Sequence, residues 1–173
     1  CQILSDIFTI EEKLGLIQKN KIAWLGDYNN VLISLIQAAE IFKFKLNILI
    51  PASLIIKHEI FLKNKKLKYT NFFDDFDKGM KGVDCVMTDV WFSMGEKKSK
   101  KKKKLLNSFQ VNRNIMHKAK KNAIFMHCLP AHRNEEVTNE VIDGAQSVVW
   151  QQAQNRIYVQ QSILNYLLKN VKK

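Results

Sequence analysis

Residues 89–95 combine side chains that could bind an amino group. Asp89 supplies an anion at the end of an apolar run, and the hydroxyl of Ser93 follows four residues later. An α-ammonium group needs such acceptors, and it binds a carboxylate more strongly than a neutral oxygen. The alternative is an ordinary helix cap at either residue, because Asp and Ser are both favoured at that position. The segment therefore indicates either an amine site or a helix start.

Residues 26–30 form a second polar segment after an earlier apolar run. Gly26 permits a tight turn, and Asn30 could cap the helix that the following residues predict. Such a cap is worth about 1 kcal/mol without any ligand. Alternatively, the Asn30 amide and the helix N-terminus could bind a carboxylate. A dinucleotide-binding loop is not indicated, because the glycines of G-x-G-x-x-G are absent.

A thiol at the end of a third apolar run is the remaining candidate. Cys128 follows that run and precedes Leu129 and Pro130. Its reactivity would require a lowered pKa, and a buried Cys is often only a small core residue. A metal site of His127, Cys128 and His132 is conceivable. We predict no metal, because adjacent residues of a strand point to opposite faces and no fourth ligand is evident.

The elements that would carry these segments are six apolar runs of strand length. They are Lys21–Leu25 and residues 46–50, 69–73, 83–88, 123–127 and 147–150. Segments with helical spacing separate them, and one of these extends to about Lys66. This alternation predicts an α/β, doubly wound (Rossmann-like), mainly parallel sheet of about five strands with helices on both faces. Such sheets bind ligands at the carboxyl ends of their strands, where all three polar segments would meet.

Both ends of the chain have helical spacing, over residues 2–16 and 152–168. Because no Pro- or Ser-rich linker interrupts the sequence, we predict one domain over residues 1–173. In it, residues 1–18 and 152–173 would be terminal helices that cover the sheet or join it to a neighbouring domain. The chain begins with Cys1 instead of Met, which suggests that it starts inside a longer reading frame.

Composition limits the compartment and the partners. No apolar run reaches the roughly 18 residues of a membrane-spanning helix. The three cysteines are odd in number and widely spaced, which favours a reducing cytoplasm over a disulfide framework. The net charge of +12 owes much to a lysine run over residues 97–104. We predict a solvated, lysine-rich loop there, since no aromatic residue interleaves the lysines as nucleic-acid binding would favour.

Taken together, the motifs resemble those of the ornithine carbamoyltransferases. Residues 89–95 resemble the family's D-x-W-x-S-M-G motif, residues 127–130 its H-C-L-P motif, and residues 26–31 its G-D-x-N-N-V turn. Residues 154–156 resemble the late E-N-R segment. Two positions differ from the usual pattern, with Tyr28 in place of Gly and Gln154 in place of Glu. The resemblance covers essentially the whole chain.

The resemblance implies the roles of the site residues. Ornithine would be held at its α-carboxylate and α-amine by four residues: Asn30, Asp89, Ser93 and the backbone of Met94. Cys128 and the carbonyl of Leu129 would lie near the carbamoyl group and the reacting δ-amine, and Arg156 would polarise the carbamoyl oxygen. Gln2 would contact the carbamoyl amide. No metal or organic cofactor is implied, and the lysine run corresponds to a charged, mobile loop that closes over ornithine.

The same resemblance implies that half of the enzyme is missing. Only Cys1-Gln2 matches the family's H-P-x-Q motif, and the S-T-R-T-R segment that binds the phosphate of carbamoyl phosphate is absent. We therefore expect an ornithine-binding domain that is inactive alone and needs an N-terminal domain or complementary chain. The family's homotrimer is doubtful for this chain, and the direction of the reaction is open. The alternatives are a basic binding module that uses the lysine run, and a non-functional remnant.

Overall fold

Five parallel strands form one sheet in the computed structural model, which describes residues 1–57, 67–93 and 95–170. The strands are β1 (Lys21–Leu25), β2 (Lys45–Leu49), β3 (Thr70–Phe72), β4 (Cys85–Thr88) and β5 (Ile124–His127). Their order across the sheet is β3-β2-β1-β4-β5, and all neighbours are parallel. The order reverses between β1 and β4, which is the switch point where doubly wound sheets bind ligands. The predicted fold class is confirmed.

Eight α-helices connect or flank these strands in the described part of the chain. They are α1 (Gln2–Leu14), α2 (Asn30–Phe42), α3 (Ala52–Lys57), α4 (Phe76–Met80), α5 (Lys100–Leu106), α6 (Arg113–Lys118), α7 (Asn139–Ile142) and α8 (Val149–Asn170). Short 3₁₀ turns lie at Ile17–Lys19 and Asn107–Phe109. The helix predicted to reach Lys66 begins as α3, and its remainder, residues 58–66, lies outside the described residues.

The two faces of the sheet are covered by different helices, because alternate side chains of each strand point to opposite sides. On one face, Ile22 and Trp24 of β1 belong to the apolar cluster that includes buried residues of α1 and α2. On the other face, Ala23 and Leu25 belong to the cluster that includes buried residues of α4, α6 and α7. The strands are therefore buried on both sides, as expected for a parallel sheet with helices on both faces.

The sixth strand predicted at residues 147–150 is wrong. Ser147 forms only an isolated parallel bridge with Phe125, and Val149 already begins α8. The β-branched residues of this segment favour a strand locally. Helix formation prevails because the buried side chain of Val149 continues the apolar cluster on that face of the sheet.

The lysine run is not a solvated loop throughout, so this prediction is also corrected. Residues 100–106 form α5, whose N-terminus is capped by the Ser99 hydroxyl accepting from the Lys102 amide. Leu106 is fully buried, and it anchors the end of the helix against Trp91 and Phe92. A buried anchor on one face and a cap at the start outweigh the repulsion between neighbouring lysines.

Helices α1 and α8 lie side by side and leave an apolar face exposed. A cavity of about 450 Å³ lies on their outer surface, and its lining includes Leu4, Phe8, Tyr158, Ile163 and Leu167. Among the helices of the described residues, none is both long and apolar enough to cross a membrane.

Candidate active site

The three polar segments meet at one edge of the sheet. The register of the strands aligns Leu25, Thr88 and His127 in one row. The residue after each of them is Gly26, Asp89 or Cys128, so the ends of β1, β4 and β5 converge as the sequence predicted. Gly26 has a φ of +122°, and a Cβ there would lie 3.3 Å from the Thr88 hydroxyl. Only glycine allows this backbone conformation and close approach without strain.

Asp89 is the centre of the convergence. Its carboxylate accepts hydrogen bonds from the Asn29 side-chain amide at 2.8 Å and from the Cys128 thiol at 2.8 Å. The residue is only 7% exposed. Both donors are neutral, and within residues 1–57, 67–93 and 95–170 no cationic side chain forms an ion pair with this carboxylate. A buried carboxylate without a cationic partner is electrostatically suited to an ammonium group from a ligand.

The helix cap predicted at Asn30 lies one residue earlier. Asn29 caps α2, and its side-chain Oδ1 accepts from the backbone amides of Val31 and Leu32 at 3.1 and 3.0 Å. Asn30 is the first residue of the helix, and it is exposed. The backbone explains the difference, because Asn29 is extended with a φ of −127°, as a capping residue must be. Asn29 thus holds Asp89 and α2 at once, while the Asn30 side chain faces solvent.

Cys128 is a hydrogen-bond donor in this site. Burial raises the pKa of its thiol far above the ordinary value, and the nearby charges of Asp89 and Asp6 raise it further. A nucleophilic cysteine needs the opposite shift, because the thiolate is the reactive form. The protonated thiol instead donates to Asp89 and links the end of β5 to the end of β4.

A buried histidine fixes the backbone after Cys128. The His127 Nδ1 accepts the amide N–H of Leu129 at 2.9 Å, so the ring proton of the neutral imidazole lies on Nε2, which faces Glu136 at 3.2 Å. Leu129 has a φ of +50°, an unfavourable conformation for a branched side chain. The His127 ring therefore stabilises a strained turn that carries the Leu129 carbonyl.

The metal ligands considered from the sequence are not brought together as a set. Asp89, His127 and Cys128 offer atoms within 4.8 Å of one another, whereas His132 lies in a separate group with Glu135 and Glu136. Both nitrogens of His127 and the Cys128 thiol are already engaged in hydrogen bonds. Any ion bound there would have to displace these contacts.

Two further predicted residues belong to the segment after β4. The Ser93 side chain is exposed, and its amide N–H donates to the Glu96 carboxylate at 3.2 Å. Met94 lies outside the described residues. Trp91 and Phe92, which precede them, are buried. The chain thus leaves β4 through a buried aromatic pair before it presents Ser93 to solvent.

An open cavity adjoins the end of β5. Its volume is about 680 Å³, and Cys128, Leu129 and Arg156 are among the residues that line it. Arg156 projects from the second turn of α8 and is exposed. Three residues assigned to the carbamoyl group by motif resemblance therefore border one space, and one of them, Cys128, is hydrogen-bonded to Asp89.

A buried network beneath the site joins both ends of the chain. Asp6 Oδ1 accepts from the side-chain amides of Gln2 and Gln152 at 2.7 and 2.8 Å, and the side-chain Oε1 of Gln152 accepts the backbone N–H of His127 at 2.9 Å. Asn155 of α8 also donates to the Thr9 hydroxyl of α1 at 2.9 Å. Burial raises the pKa of Asp6 to about 6, although hydrogen bonds and the charge of Arg156 oppose the rise.

Sequence reasoning missed Asp6, Gln152 and Asn29. Asp6 and Gln152 each lie on a helix that the sequence predicts only from its apolar spacing, and no local signal marks them as partners across the whole chain. A polar residue within a predicted apolar face, as Asp6 is between Ile3 and Ile7, is the signal that was present. Asn29 lay inside a recognised motif, but neighbouring asparagines could not be told apart.

Known proteins are similar to this chain over most of its length. The family model "Aspartate/ornithine carbamoyltransferase, Asp/Orn binding domain" matches residues 18–167. An ornithine carbamoyltransferase of Rhodopseudomonas palustris is 48% identical over 170 residues, which are 97% of this chain and 54% of that protein. One from Ruthia magnifica is 47% identical, again over 97% of this chain and 56% of the relative.

Solved structures show the same similarity. The crystal structure of ornithine carbamoyltransferase from Burkholderia thailandensis has a TM-score of 0.85 and 42% identity, and covers 97% of this chain and 54% of that one. The enzyme from Pyrococcus furiosus has a TM-score of 0.86 and 37% identity, with coverage of 99% and 57%. The chain spans about half the length of the relatives it matches. Since the family model matches most of its residues, the chain belongs to the aspartate/ornithine carbamoyltransferase family and spans the domain that binds the amino acid.

Proposed function

We propose that this chain is the ornithine-binding half of an ornithine carbamoyltransferase, which converts carbamoyl phosphate and L-ornithine to L-citrulline and phosphate. The observation that carries the proposal is Asp89, a buried carboxylate at the switch point whose partners are neutral. Such a carboxylate gains a strong charge-assisted hydrogen bond when an α-ammonium group arrives. The names of the similar proteins support ornithine as the amino acid.

The remaining contacts to ornithine come from the segments on either side of Asp89. Both ends of the Asn29 side chain are occupied, by Asp89 and by the amides of α2. The exposed Asn30 side chain at the start of α2 is free to reach the ligand carboxylate, which the positive end of the helix also favours. The Ser93 hydroxyl and the backbone of Met94 would complete this part of the site.

The carbamoyl group would occupy the cavity beside Cys128, where the Leu129 carbonyl accepts from its amide. With Gln2 Nε2 donating to Asp6, the Gln2 carbonyl oxygen remains an acceptor for the same amide. The neutral δ-amine attacks the carbonyl carbon, a C–N bond forms, the C–O bond to phosphate breaks, and the proton lost by the amine passes to the released phosphate. Arg156 would stabilise the oxygen charge that develops during the attack. The scheme requires no metal or organic cofactor.

The phosphate of carbamoyl phosphate needs cationic ligands from outside this chain. Two arginines, Arg133 and Arg156, line the cavity near Cys128. Arg133 is paired with Asp143, which leaves Arg156 as the available cation there. We assign the missing ligands to a carbamoyl phosphate-binding half. The exposed apolar face of α1 and α8 is suited to pack against it, because an apolar face of this kind marks an interaction surface. The assembly, including the homotrimer of the family, depends on whether that half is joined to this chain or is a separate one.

The free thiols of this chain agree with a location in the reducing cytoplasm.

Calorimetric titration with L-ornithine and L-aspartate tests the amino acid preference. We expect ornithine to bind with a Kd of about 1 mM or tighter, since the half-site lacks contacts from the other half. Aspartate should give no binding heat, because its side-chain carboxylate would lie near Asp89 and Asp6. Binding of aspartate but not ornithine by a folded sample would contradict the proposal.

A further inference from the structure

One lysine of the charged run belongs to a semi-buried ion cluster beside the site. Lys102 Nζ lies 2.8 Å from the Asp27 carboxylate and 2.8 and 3.0 Å from the two oxygens of Glu96. It also lies 5.3 Å from the centre of the Phe92 ring. The Lys102 side chain is 19% exposed and that of Asp27 only 6%. These contacts join three separate segments through one ammonium group.

The helix explains why Lys102 is selected from the run. Lys102 and Leu106 are four residues apart and share the inner face of α5, where Leu106 is buried with Trp91 and Phe92. Lys101 and Lys104 lie on the exposed side. In the described part of the chain, neither of these two forms an ion pair. Position on the helix, and not local composition, distinguishes Lys102 from its neighbours.

Each carboxylate of the cluster is connected to a residue that is predicted to contact ornithine. The Glu96 carboxylate accepts the Ser93 N–H, and the Glu96 N–H donates to the Ser93 carbonyl at 2.9 Å. Asp27 lies two residues before Asn29, which donates to Asp89. The Trp24 indole N–H donates to the backbone carbonyl of Asp27 at 3.0 Å. Lys102 therefore connects the turn that carries Ser93 to the turn that orients Asp89.

We propose that Lys102 is a positioning residue that holds the Ser93 turn against the turn after β1 and thereby sets the affinity for ornithine. This inference rests on the proposed function for its ligand, whereas the position of the Ser93 turn is a property of the free chain. Lys102 does not touch the ligand. It acts through Glu96 on one side and Asp27 on the other.

Electrostatics indicates what the loss of Lys102 would do. Burial raises the pKa of Asp27, and the bond to Lys102 opposes that rise. Burial lowers the pKa of Lys102, but the two carboxylates outweigh it and the net shift is upward. Without the Lys102 ammonium group, the Asp27 and Glu96 carboxylates, which both contact it, would repel each other. Glu96 is the more exposed of the two and accepts the Ser93 N–H, so this repulsion would act on the Ser93 turn.

Three variants test the proposal: Lys102→Met, Lys102→Arg and Lys101→Met. We expect Lys102→Met to bind ornithine about tenfold more weakly, as expected for loss of one partner of a partly buried ion pair. Hydrogen exchange at the Ser93 and Glu96 amides, measured without ligand, should be faster. Lys102→Arg retains a cation for both carboxylates and should restore both properties. Lys101→Met, which removes the same charge from the exposed side, should match the wild type.

The exchange measurement separates this inference from the proposed function. Unchanged exchange and unchanged affinity in a folded Lys102→Met sample would overturn the role of Lys102. If neither the wild type nor Lys101→Met binds ornithine, the proposed function fails, and the exchange rates alone decide whether Lys102 positions the turn. Should Lys102→Met fail to fold, Lys102→Arg and Glu96→Gln give the same comparison. Exchange at Ser93 as slow in Glu96→Gln as in the wild type would then contradict the inference.

Discussion

Replacement of Asp89 by Ala is expected to weaken ornithine binding at least about 100-fold, because removal of one member of a buried charged pair typically costs several kcal/mol. The variant removes the anion that would bind the α-ammonium group. It also leaves the Asn29 amide and the Cys128 thiol without their shared acceptor. The effect should therefore exceed that of any change at the exposed rim of the site. Calorimetric titration of variant and wild type at equal concentration measures it.

Two further variants separate charge from position. Asp89→Asn keeps the shape of the side chain and one acceptor oxygen, so it should still weaken binding markedly if the charge is what ornithine recognises. Asp84→Asn is the matched control, because Asp84 lies just before β4 at the opposite edge of the sheet, paired with Lys120. It should leave the affinity unchanged. Asp89→Asn that binds like the wild type would show that Asp89 is a structural residue.

Replacement of Asp6 by Asn is expected to stabilise the chain at pH 8 but not at pH 4. The pKa of Asp6 is raised to about 6 in the folded chain, from an ordinary value of 3.8. A carboxyl group whose pKa is higher in the folded than in the unfolded chain contributes to folding stability below the unfolded pKa of 3.8. This contribution is lost as pH rises through the folded pKa of about 6. The loss is complete above about pH 6, and the shift in pKa limits it to about 3 kcal/mol of unfolding free energy. Asn keeps the acceptor for Gln2 and Gln152 and removes the buried charge.

The difference in unfolding free energy between wild type and variant, measured by denaturant titration at several pH values, isolates the contribution of Asp6. Asp75→Asn provides a control of opposite sign. The amides of the α4 N-terminus and Lys78 lower the pKa of Asp75, so its contribution is present near neutral pH and lost as pH falls. Asp75→Asn should therefore destabilise the chain at pH 7. An Asp6→Asn effect that does not change between pH 4 and pH 8 would contradict the ionised, buried state inferred for Asp6.

The sheet and the convergence of its polar ends could be predicted from the sequence, because strand and helix periods alternate clearly along the chain. Gly26, Asp89 and Cys128 each follow a strand directly, and parallel strands bring such residues to one edge. The assignment failed where local preference and tertiary contacts disagree. At residues 147–150 the β-branched side chains favour a strand, but only Ser147 has a strand neighbour to pair with.

Contacts between distant segments could not be predicted. Lys102 looks like any lysine of its run until α5 directs it towards Asp27 and Glu96. Asp6 meets Gln152 only because α1 and α8 pack side by side, and the two residues are 146 positions apart. Hydrogen bonds of this kind depend on the assembled fold, so a single sequence contains no local pattern that reports them.

Citrulline formation by reconstitution tests most directly the claim that this chain is half of a carbamoyltransferase. The chain would be mixed with the part of the Rhodopseudomonas palustris relative that it does not cover, with carbamoyl phosphate and ornithine supplied. We predict no citrulline from either part alone and clear formation from the mixture, abolished by Asp89→Ala. Turnover by this chain alone would contradict the division of the site between two halves. A mixture that associates and binds ornithine but forms no citrulline would contradict the assigned reaction.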